Sequence, residues 1–234
     1  MLETPFPERS PMPEPSPSPA ETKPRRRAGR PVGSVLDQAG ITAAALALVS
    51  KKGYDGLTMA ALAKSLGVAP SALYNHVGSK DDVLRLVEED LMSQVDSSVF
   101  ASLPWEEAVK AWAYSYRDIF SAHTPLISVI AVLPVTDAPQ TLAMYEAVTE
   151  GFLRAGFPED RIIPCIVALE AYIFGAAFDA TAPADIFDSG KLAESTPHFT
   201  AAVRSLGPVN YPSDLAFRMG LDALVAGFGA LRGS

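Results

Sequence analysis

Cysteine and histidine are both scarce, with one cysteine and three histidines among 234 residues. A single cysteine excludes an internal disulfide and is consistent with a reducing compartment. Cys165 lies in the apolar run IIPCIVAL, which predicts a small buried side chain rather than a reactive thiol. No spacing of Cys and His suits a metal ion, so we expect neither a metal nor a cofactor.

The motifs of common catalytic sites are missing as well. The sequence has no G-x-S-x-G, no H-E-x-x-H and no glycine-rich phosphate loop ending in Lys-Ser or Lys-Thr. These patterns mark serine hydrolases, zinc proteases and P-loop nucleotide hydrolases. An enzyme would need a site assembled from distant residues, and nothing in the sequence points to one.

Long apolar runs are also absent. No uninterrupted apolar stretch approaches the roughly 20 residues that cross a bilayer, and the N-terminus has no apolar signal core. Apolar residues nevertheless make up 48% of the chain, enough to bury a core in one large domain or two small ones. The sequence therefore predicts a folded, cytoplasmic protein that does not bind a membrane.

Positive charge is in short supply overall, because the formal net charge is −8. The charge is unevenly spread, however. From Lys23 to Lys80 there are nine basic residues against two acidic ones, so this segment carries +7 and the rest of the chain carries −15. Because DNA binding depends on the local field, the basic segment is the expected nucleic-acid-binding part.

The first 33 residues predict no globular structure. Residues 1–22 hold seven prolines, which predicts a disordered tail because proline fixes φ and lacks an N–H donor. Residues 23–33 (KPRRRAGRPVG) form a basic arm whose Gly-Arg-Pro matches the core of an AT-hook in part, with Ala28 where that motif has arginine. The arm is either a solubilising charge run or a minor-groove contact. In the second case its DNA-binding residues are Arg25, Arg26, Arg27 and Arg30.

Helical periodicity begins near residue 35 and predicts four successive helices. The first has its apolar face at Ile41, Ala45, Leu48 and Val49. Glycine at 53 predicts its end, and Thr58 is the expected N-cap of a second helix that ends at Gly67. A third helix is predicted from Pro70, and a fourth from Ser79 into the 90s.

Two short helices joined by a glycine-containing turn are typical of a helix-turn-helix, whose second helix enters the major groove. The start and exposed face of that helix carry side chains suited to bases and phosphates: Pro70, Ser71, Ala72, Tyr74, Asn75 and His76. The periodicity alone fits a generic small helical module equally well. The positive charge of residues 23–80 favours DNA.

Residues 53–80, GYDGLTMAALAKSLGVAPSALYNHVGSK, resemble the DNA-binding domain of the TetR family of bacterial transcriptional regulators. They fill every fixed position of G-(hydrophobic)-x-G-x-T-x-x-x-(L/I)-A-x-x-L-G-V-x-x-x-x-L-Y-x-H-(hydrophobic)-x-x-K. The resemblance implies an all-α fold, with a three-helix helix-turn-helix DNA-binding domain at 34–82 and a larger helical ligand-binding and dimerisation domain at 83–234. It also implies a ligand-responsive repressor that binds a palindromic operator as a homodimer.

The resemblance also implies roles for individual residues. It implies that Thr58 is a phosphate-binding cap and Lys80 a phosphate clamp. It implies that Ser71 and Ala72 lie in the groove, and that Tyr74 and His76 contact the backbone and base edges. Two positions depart from the family. Ala60 stands where many members have Arg or Lys, and Ala69 where an N-cap Ser or Thr is common. These losses suggest the hypothesis that the arginine arm supplies the missing affinity.

The rest of the chain predicts further helices. One begins after Pro104, another is amphipathic over 141–154, and residues 181–212 predict a long loop or a broken helix. The segments 161–180 and 214–231 are almost wholly apolar and need cover that one chain does not supply. The resemblance implies a homodimer through about 161–180 and 213–231; the alternative is a monomer with a self-contained core.

Aromatic residues of the second domain either fill its core or line a cavity, where the resemblance places a small-molecule effector. The candidate ligand contacts are Trp112, Tyr116, Phe120, His123, Tyr145, Glu170, Phe174 and Phe178. A DNA-binding regulator or activator without an effector is the alternative. A cavity would argue against that alternative, and a filled core would favour it.

Overall fold

The computed structural model describes residues 36–206 and 213–232. These ranges form ten α-helices and no β-strand. The helices are α1 (Gln38–Lys52), α2 (Met59–Leu66), α3 (Pro70–Tyr74), α4 (Lys80–Gln94), α5 (Trp105–Ser121), α6 (Thr124–Ile130), α7 (Pro139–Arg154), α8 (Glu159–Asp179), α9 (Pro197–Ser205) and α10 (Ser213–Gly229). The predicted tail, the basic arm with its four arginines, and the part of the predicted loop at 207–212 lie outside the described residues.

Cap residues set the bounds of α1 and α2, and of them Gly53, Thr58 and Gly67 were predicted. The side chain of Asp37 accepts a hydrogen bond from the N–H of Gly40 at 2.8 Å and begins α1. The apolar face predicted for α1 is buried. Thr58 caps α2 by accepting from the N–H of Ala61 at 3.1 Å. Gly67 ends α2 in the left-handed conformation, at φ 67°, which a residue with a Cβ rarely adopts.

The third helix is short and sparsely capped. It runs for five residues from Pro70 to Tyr74, and Ala69 at its N-cap offers no side-chain hydrogen bond, as predicted. Leu73 of this helix and Val77 just after it are buried. The helix is therefore anchored by its apolar face and the fixed φ of its proline rather than by a cap.

Helix α4 joins the two halves of the described fold. Ser79 caps it by accepting from the N–H of Asp82 at 3.1 Å, and the carboxylate of Asp82 accepts from the N–H of Gly78 at 2.9 Å. This is a capping box closed one residue earlier than usual. The helix packs against α1 of the helix-turn-helix and against α7 of the second half. Helix α4 therefore contacts the helix-turn-helix and the second half directly.

The second half is built around α5, which packs against α8 and α10. Arg117 on α5 is buried, pairs with Asp214 on α10 at 2.9 Å and lies 4.5 Å from the ring centre of Phe217. Arg232 follows α10, pairs with Glu106 at 2.5 Å and stacks on Trp105. These two arginines fix both ends of α10 to α5.

The apolar helix predicted over 161–180 is present as α8, and the described part of its own chain covers only one face of it, in keeping with the expectation that one chain does not supply the cover. Its inner face packs on α5, whereas Ile163 and Val167 on its outer face are each 57% exposed. Within the described residues α8 alone is long and apolar enough to cross a membrane. A core helix satisfies the same criterion, so this is weak evidence for a membrane span.

Candidate nucleic-acid interface and effector cavity

Most of the predicted DNA-binding side chains of the described region are exposed. Thr58 at the start of α2, and Pro70, Ser71, Asn75 and His76 in and after α3, are all exposed. Between them the buried Leu73 fixes the orientation of α3. This arrangement leaves the start and outer face of α3 free to enter a groove.

Two further predicted contacts have a distinct environment. Tyr74 is 51% exposed, so its ring and hydroxyl are accessible to a partner. Lys80 is half-buried, with its Nζ 3.6 Å from the ring centre of Tyr54 and 3.4 Å from the carbonyl oxygen of the same residue. The ammonium is thus held at the start of α4 by a cation–π contact and a hydrogen bond. Ala72 is half-buried.

The charge of the helix-turn-helix is modest without the arm. Residues 36–80 contain four lysines and two aspartates, so five of the nine basic residues of the segment belong to the arm. Ala60, at the position where many relatives carry a cation, is exposed on α2. Most of the net positive charge of residues 23–80 therefore belongs to residues that precede α1 in the sequence.

A cavity of about 50 Å³ lies in the second half of the fold, between α4, α5, α6, α7 and α8. Ten residues line it: Glu88, Met92, Tyr116, Ile130, Ala131, Leu133, Val135, Tyr145, Glu170 and Phe174. Four of them are predicted ligand contacts. The wall therefore combines apolar side chains, three aromatic rings and two carboxyl groups, and holds no basic residue.

Glu170 sits on α8 and is held by two phenols. The hydroxyl of Tyr145 donates to its Oε1 at 2.7 Å and that of Tyr116 at 3.2 Å. Burial raises the pKa of Glu170, and the two hydrogen bonds partly oppose that rise. Burial, followed by the nearby Glu170 carboxylate, raises the pKa of both tyrosines. The phenols therefore stay protonated and remain donors.

Glu88 is the one polar residue of the cavity wall that was not among the predicted ligand contacts. It is 2% exposed, and its Oε2 has no hydrogen-bond partner within the part of the chain that the structure describes. Burial raises its pKa to about 7; the neighbouring Glu89 adds to this and Arg85 opposes it. A signal was present in the sequence, since Glu88 falls on the same helical face as the buried Leu84, Leu91 and Met92.

The remaining predicted ligand contacts lie away from this cavity wall. Trp112 and Phe120 are fully buried in the aromatic core of α5. His123 occupies the N-cap of α6 without a side-chain capping bond, and burial lowers its pKa. Phe178 is 48% exposed on α8. Their roles in ligand binding stay predictions.

Helix α4 also holds the start of α7. The carboxylate of Glu89 accepts hydrogen bonds from the N–H of Gln140 at 2.7 Å, the N–H of Thr141 at 3.1 Å and the hydroxyl of Thr141 at 2.8 Å. Arg85 donates to the carbonyl oxygen of Thr136 at 2.9 Å. One turn of α4 thus contacts both the cavity, through Glu88, and the N-terminus of α7.

The two remaining sequence predictions concern metals and the cysteine. Within residues 36–206 and 213–232, no three His, Cys, Asp or Glu side chains gather in a way that could hold a metal ion. Cys165 is buried, as predicted, and burial raises the pKa of its thiol. A raised pKa keeps the thiol protonated, which makes it a poor nucleophile.

An exposed helix-turn-helix connected by one helix to a larger helical unit with an internal cavity defines a DNA-binding transcriptional regulator. Residues 41–87 match the bacterial regulatory proteins of the tetR family, and residues 103–232 match the tetracyclin repressor-like C-terminal domain. The chain belongs to the TetR family.

Similar proteins and a similar solved structure support this assignment. An HTH-type transcriptional regulator of Saccharopolyspora erythraea is 26% identical over 206 residues, covering 85% of this chain and 87% of the relative. The tetracycline repressor protein class E of Escherichia coli is 23% identical, covering 80% and 87%. The structure of Streptomyces coelicolor ActR in complex with actinorhodin has a TM-score of 0.70 at 27% identity, covering 86% of this chain and 99% of ActR.

Proposed function

We propose that this protein is a cytoplasmic, ligand-responsive repressor that binds a palindromic operator as a homodimer. The observation that carries the proposal is the course of α4, which packs on α1 of the helix-turn-helix and also lines the cavity. A ligand that displaces α4 changes the position of the recognition helix. Two comparisons support the parts of this proposal, because one relative is a tetracycline repressor and ActR forms a complex with actinorhodin.

The DNA contacts are proposed on the exposed surface of α2 and α3. Ser71, Ala72 and Asn75 are assigned to base edges in the major groove, and Tyr74 and Lys80 to the phosphate backbone. The other assigned contacts are Thr58, Pro70 and His76. The four arginines of the arm are assigned to the minor groove or to phosphates, which compensates for the alanine at position 60.

The partner proposed for the outer face of α8 and α10 is a second copy of this chain. Along α8 the exposed residues include Ile163 and Val167, and along α10 they include Leu215 and Met219, the last 63% exposed. A two-fold axis that pairs these faces buries both sets in one interface. It also places the recognition helices about 34–36 Å apart, one turn of DNA, and therefore predicts a palindromic site.

A regulator or activator that needs no effector is the second candidate, favoured by the size of the cavity. About 50 Å³ is well below the roughly 300–1,000 Å³ of typical ligand pockets, and Trp112 and Phe120 fill the adjoining core. Under the repressor proposal, the non-helical wall at 131–135 must move when an effector enters. Under the second candidate the cavity stays closed.

Transcription in vitro distinguishes a repressor from an activator and tests the homodimer. The template carries an operator recovered by selection from random duplex DNA, and sedimentation gives the number of chains per duplex. We expect two chains per palindrome and a fall in transcript as protein is added. A rise in transcript would make the protein an activator, and one chain per site would overturn the homodimer.

A further inference from the structure

The two carboxyl groups of the cavity have different surroundings. One oxygen of Glu170, Oε1, accepts hydrogen bonds from the hydroxyls of Tyr116 and Tyr145. Glu88 is as deeply buried as the core leucines, yet its Oε2 has no partner among the described residues. An unpartnered buried carboxylate is destabilising, and a donor group brought by a ligand would relieve that cost.

The charge of the residues that line the cavity restricts which hydrogen-bond donors a ligand can bring into it. The ten lining residues include two acidic side chains and no Lys, Arg or His. The nearest cation is Arg85 on the same helix as Glu88, and its guanidinium donates to the carbonyl oxygen of Thr136. An anionic ligand would meet two carboxyl groups with no positive group in the wall to compensate.

The aromatic residues that line the cavity also favour a positively charged ligand. The rings of Tyr116, Tyr145 and Phe174 line the cavity beside the carboxyl groups. The faces of aromatic rings carry negative electrostatic potential and attract organic cations, most strongly where water is excluded. Carboxylates and ring faces together form the usual surroundings of a bound ammonium group.

We infer that the cavity binds the ammonium group of an organic amine, with Glu88 as its ion-pairing partner and Glu170 as the second carboxylate. This inference rests on the proposed effector-responsive function and names the chemical class of the effector. A volume of about 50 Å³ suits an ammonium head group. The rest of the amine would displace the exposed wall at 131–135.

The test uses the full-length protein and three probes of one scaffold that differ in charge: 2-phenylethylammonium, 2-phenylethanol and phenylacetate. Calorimetry measures their affinities for wild-type protein and for three variants, Glu88→Gln, Glu170→Gln and Glu146→Gln. Glu146 is exposed on α7, next in sequence to Tyr145, and serves as the matched control. Circular dichroism confirms that each variant is folded.

The expected result is that the ammonium probe binds about tenfold or more tightly than the other two. Glu88→Gln and Glu170→Gln weaken ammonium binding by about tenfold or more, and Glu146→Gln leaves it unchanged. Equal or tighter binding of the alcohol or the carboxylate overturns the inference, and so does an ammonium affinity that is undetectable or insensitive to Glu88→Gln.

Proton release gives a second readout. Because its pKa is raised to about 7, Glu88 is mostly protonated at pH 6, and pairing with an ammonium ion releases that proton. The other titratable groups around the cavity are Glu89, Glu170, Tyr116 and Tyr145. Burial raises the pKa of Glu170 as well, whereas the phenols do not titrate in this range and Arg85 stays charged. Calorimetry in buffers of different ionisation enthalpy should show proton release by the wild type and by Glu146→Gln, and less release by Glu88→Gln.

The design separates failure of this inference from failure of the proposed function. Operator binding and transcription are measured without any probe. Repression from a palindrome, with no preference for the ammonium probe, overturns the amine assignment and leaves the repressor standing. A full-length protein that binds no operator in the absence of a probe overturns the proposed function itself.

Discussion

Replacement of Glu88 by glutamine should change how stability depends on pH. The carboxyl group has an ordinary pKa of 4.5 in the unfolded chain and about 7 in the folded protein, because burial disfavours the charged form. The folded state therefore holds the proton more tightly. The associated stability is fully present below pH 4.5 and is lost as the pH rises through 7.

The magnitude follows from the difference between the two pKa values. A shift of this size corresponds to roughly 3 kcal/mol, at about 1.36 kcal/mol per pKa unit. Most of this falls between pH 5 and pH 8, where we expect the wild type to lose roughly 2–3 kcal/mol relative to Glu88→Gln. Glutamine does not titrate, so the difference between the two proteins isolates this one group.

Urea denaturation at a fixed protein concentration, from pH 5 to pH 8, measures this difference. Fixed concentration matters because a dimer's stability depends on it. The Glu146→Gln variant is the control and should follow the wild type at every pH. A difference between wild type and Glu88→Gln that stays constant from pH 5 to pH 8 would refute the description of Glu88 as a buried, unpartnered carboxyl group.

Three further predictions concern DNA binding, assembly and the α4–α7 contact. Deletion of residues 1–33 should weaken operator binding. The slope of log K against log salt should become shallower by about 3.6 per subunit, at about 0.9 for each of four arginine–phosphate contacts. An unchanged salt titration would show that the arm does not contact DNA. Val167→Glu should yield monomers in sedimentation, whereas Leu142→Glu, on the exposed face of α7, should stay dimeric; a dimeric Val167→Glu would contradict the proposed interface. Glu89→Ala removes three hydrogen bonds at the start of α7 and should lower the free energy of unfolding by roughly 1–2 kcal/mol, measured by urea denaturation. An unchanged free energy of unfolding would count against this cap.

The helix-turn-helix could be predicted from the sequence because local chemistry determines it. Glycines in the left-handed region, a threonine cap and a proline in a first turn act within a few residues of their own position. Gly53, Thr58, Gly67 and Pro70 therefore lie at the predicted helix ends. The TetR resemblance added the family, which both matched regions confirm.

The cavity could be predicted only in part, because its wall depends on how five helices cross. Tyr116, Phe120 and Phe174 belong to one aromatic cluster, yet Phe120 does not line the cavity and the other two do. Their spacing along the helices cannot distinguish these outcomes. Glu88 differs, because its position on the apolar face of α4 belongs to no motif, although that position is visible in the sequence.

Selection of random duplex DNA by the purified full-length protein, at two salt concentrations, tests the central claim most directly. The account predicts enrichment of a palindrome whose half-sites lie about one helical turn apart, with retention that falls as salt rises. Salt-sensitive retention of every duplex without enrichment would contradict it, since the basic segment would then hold DNA without reading its sequence.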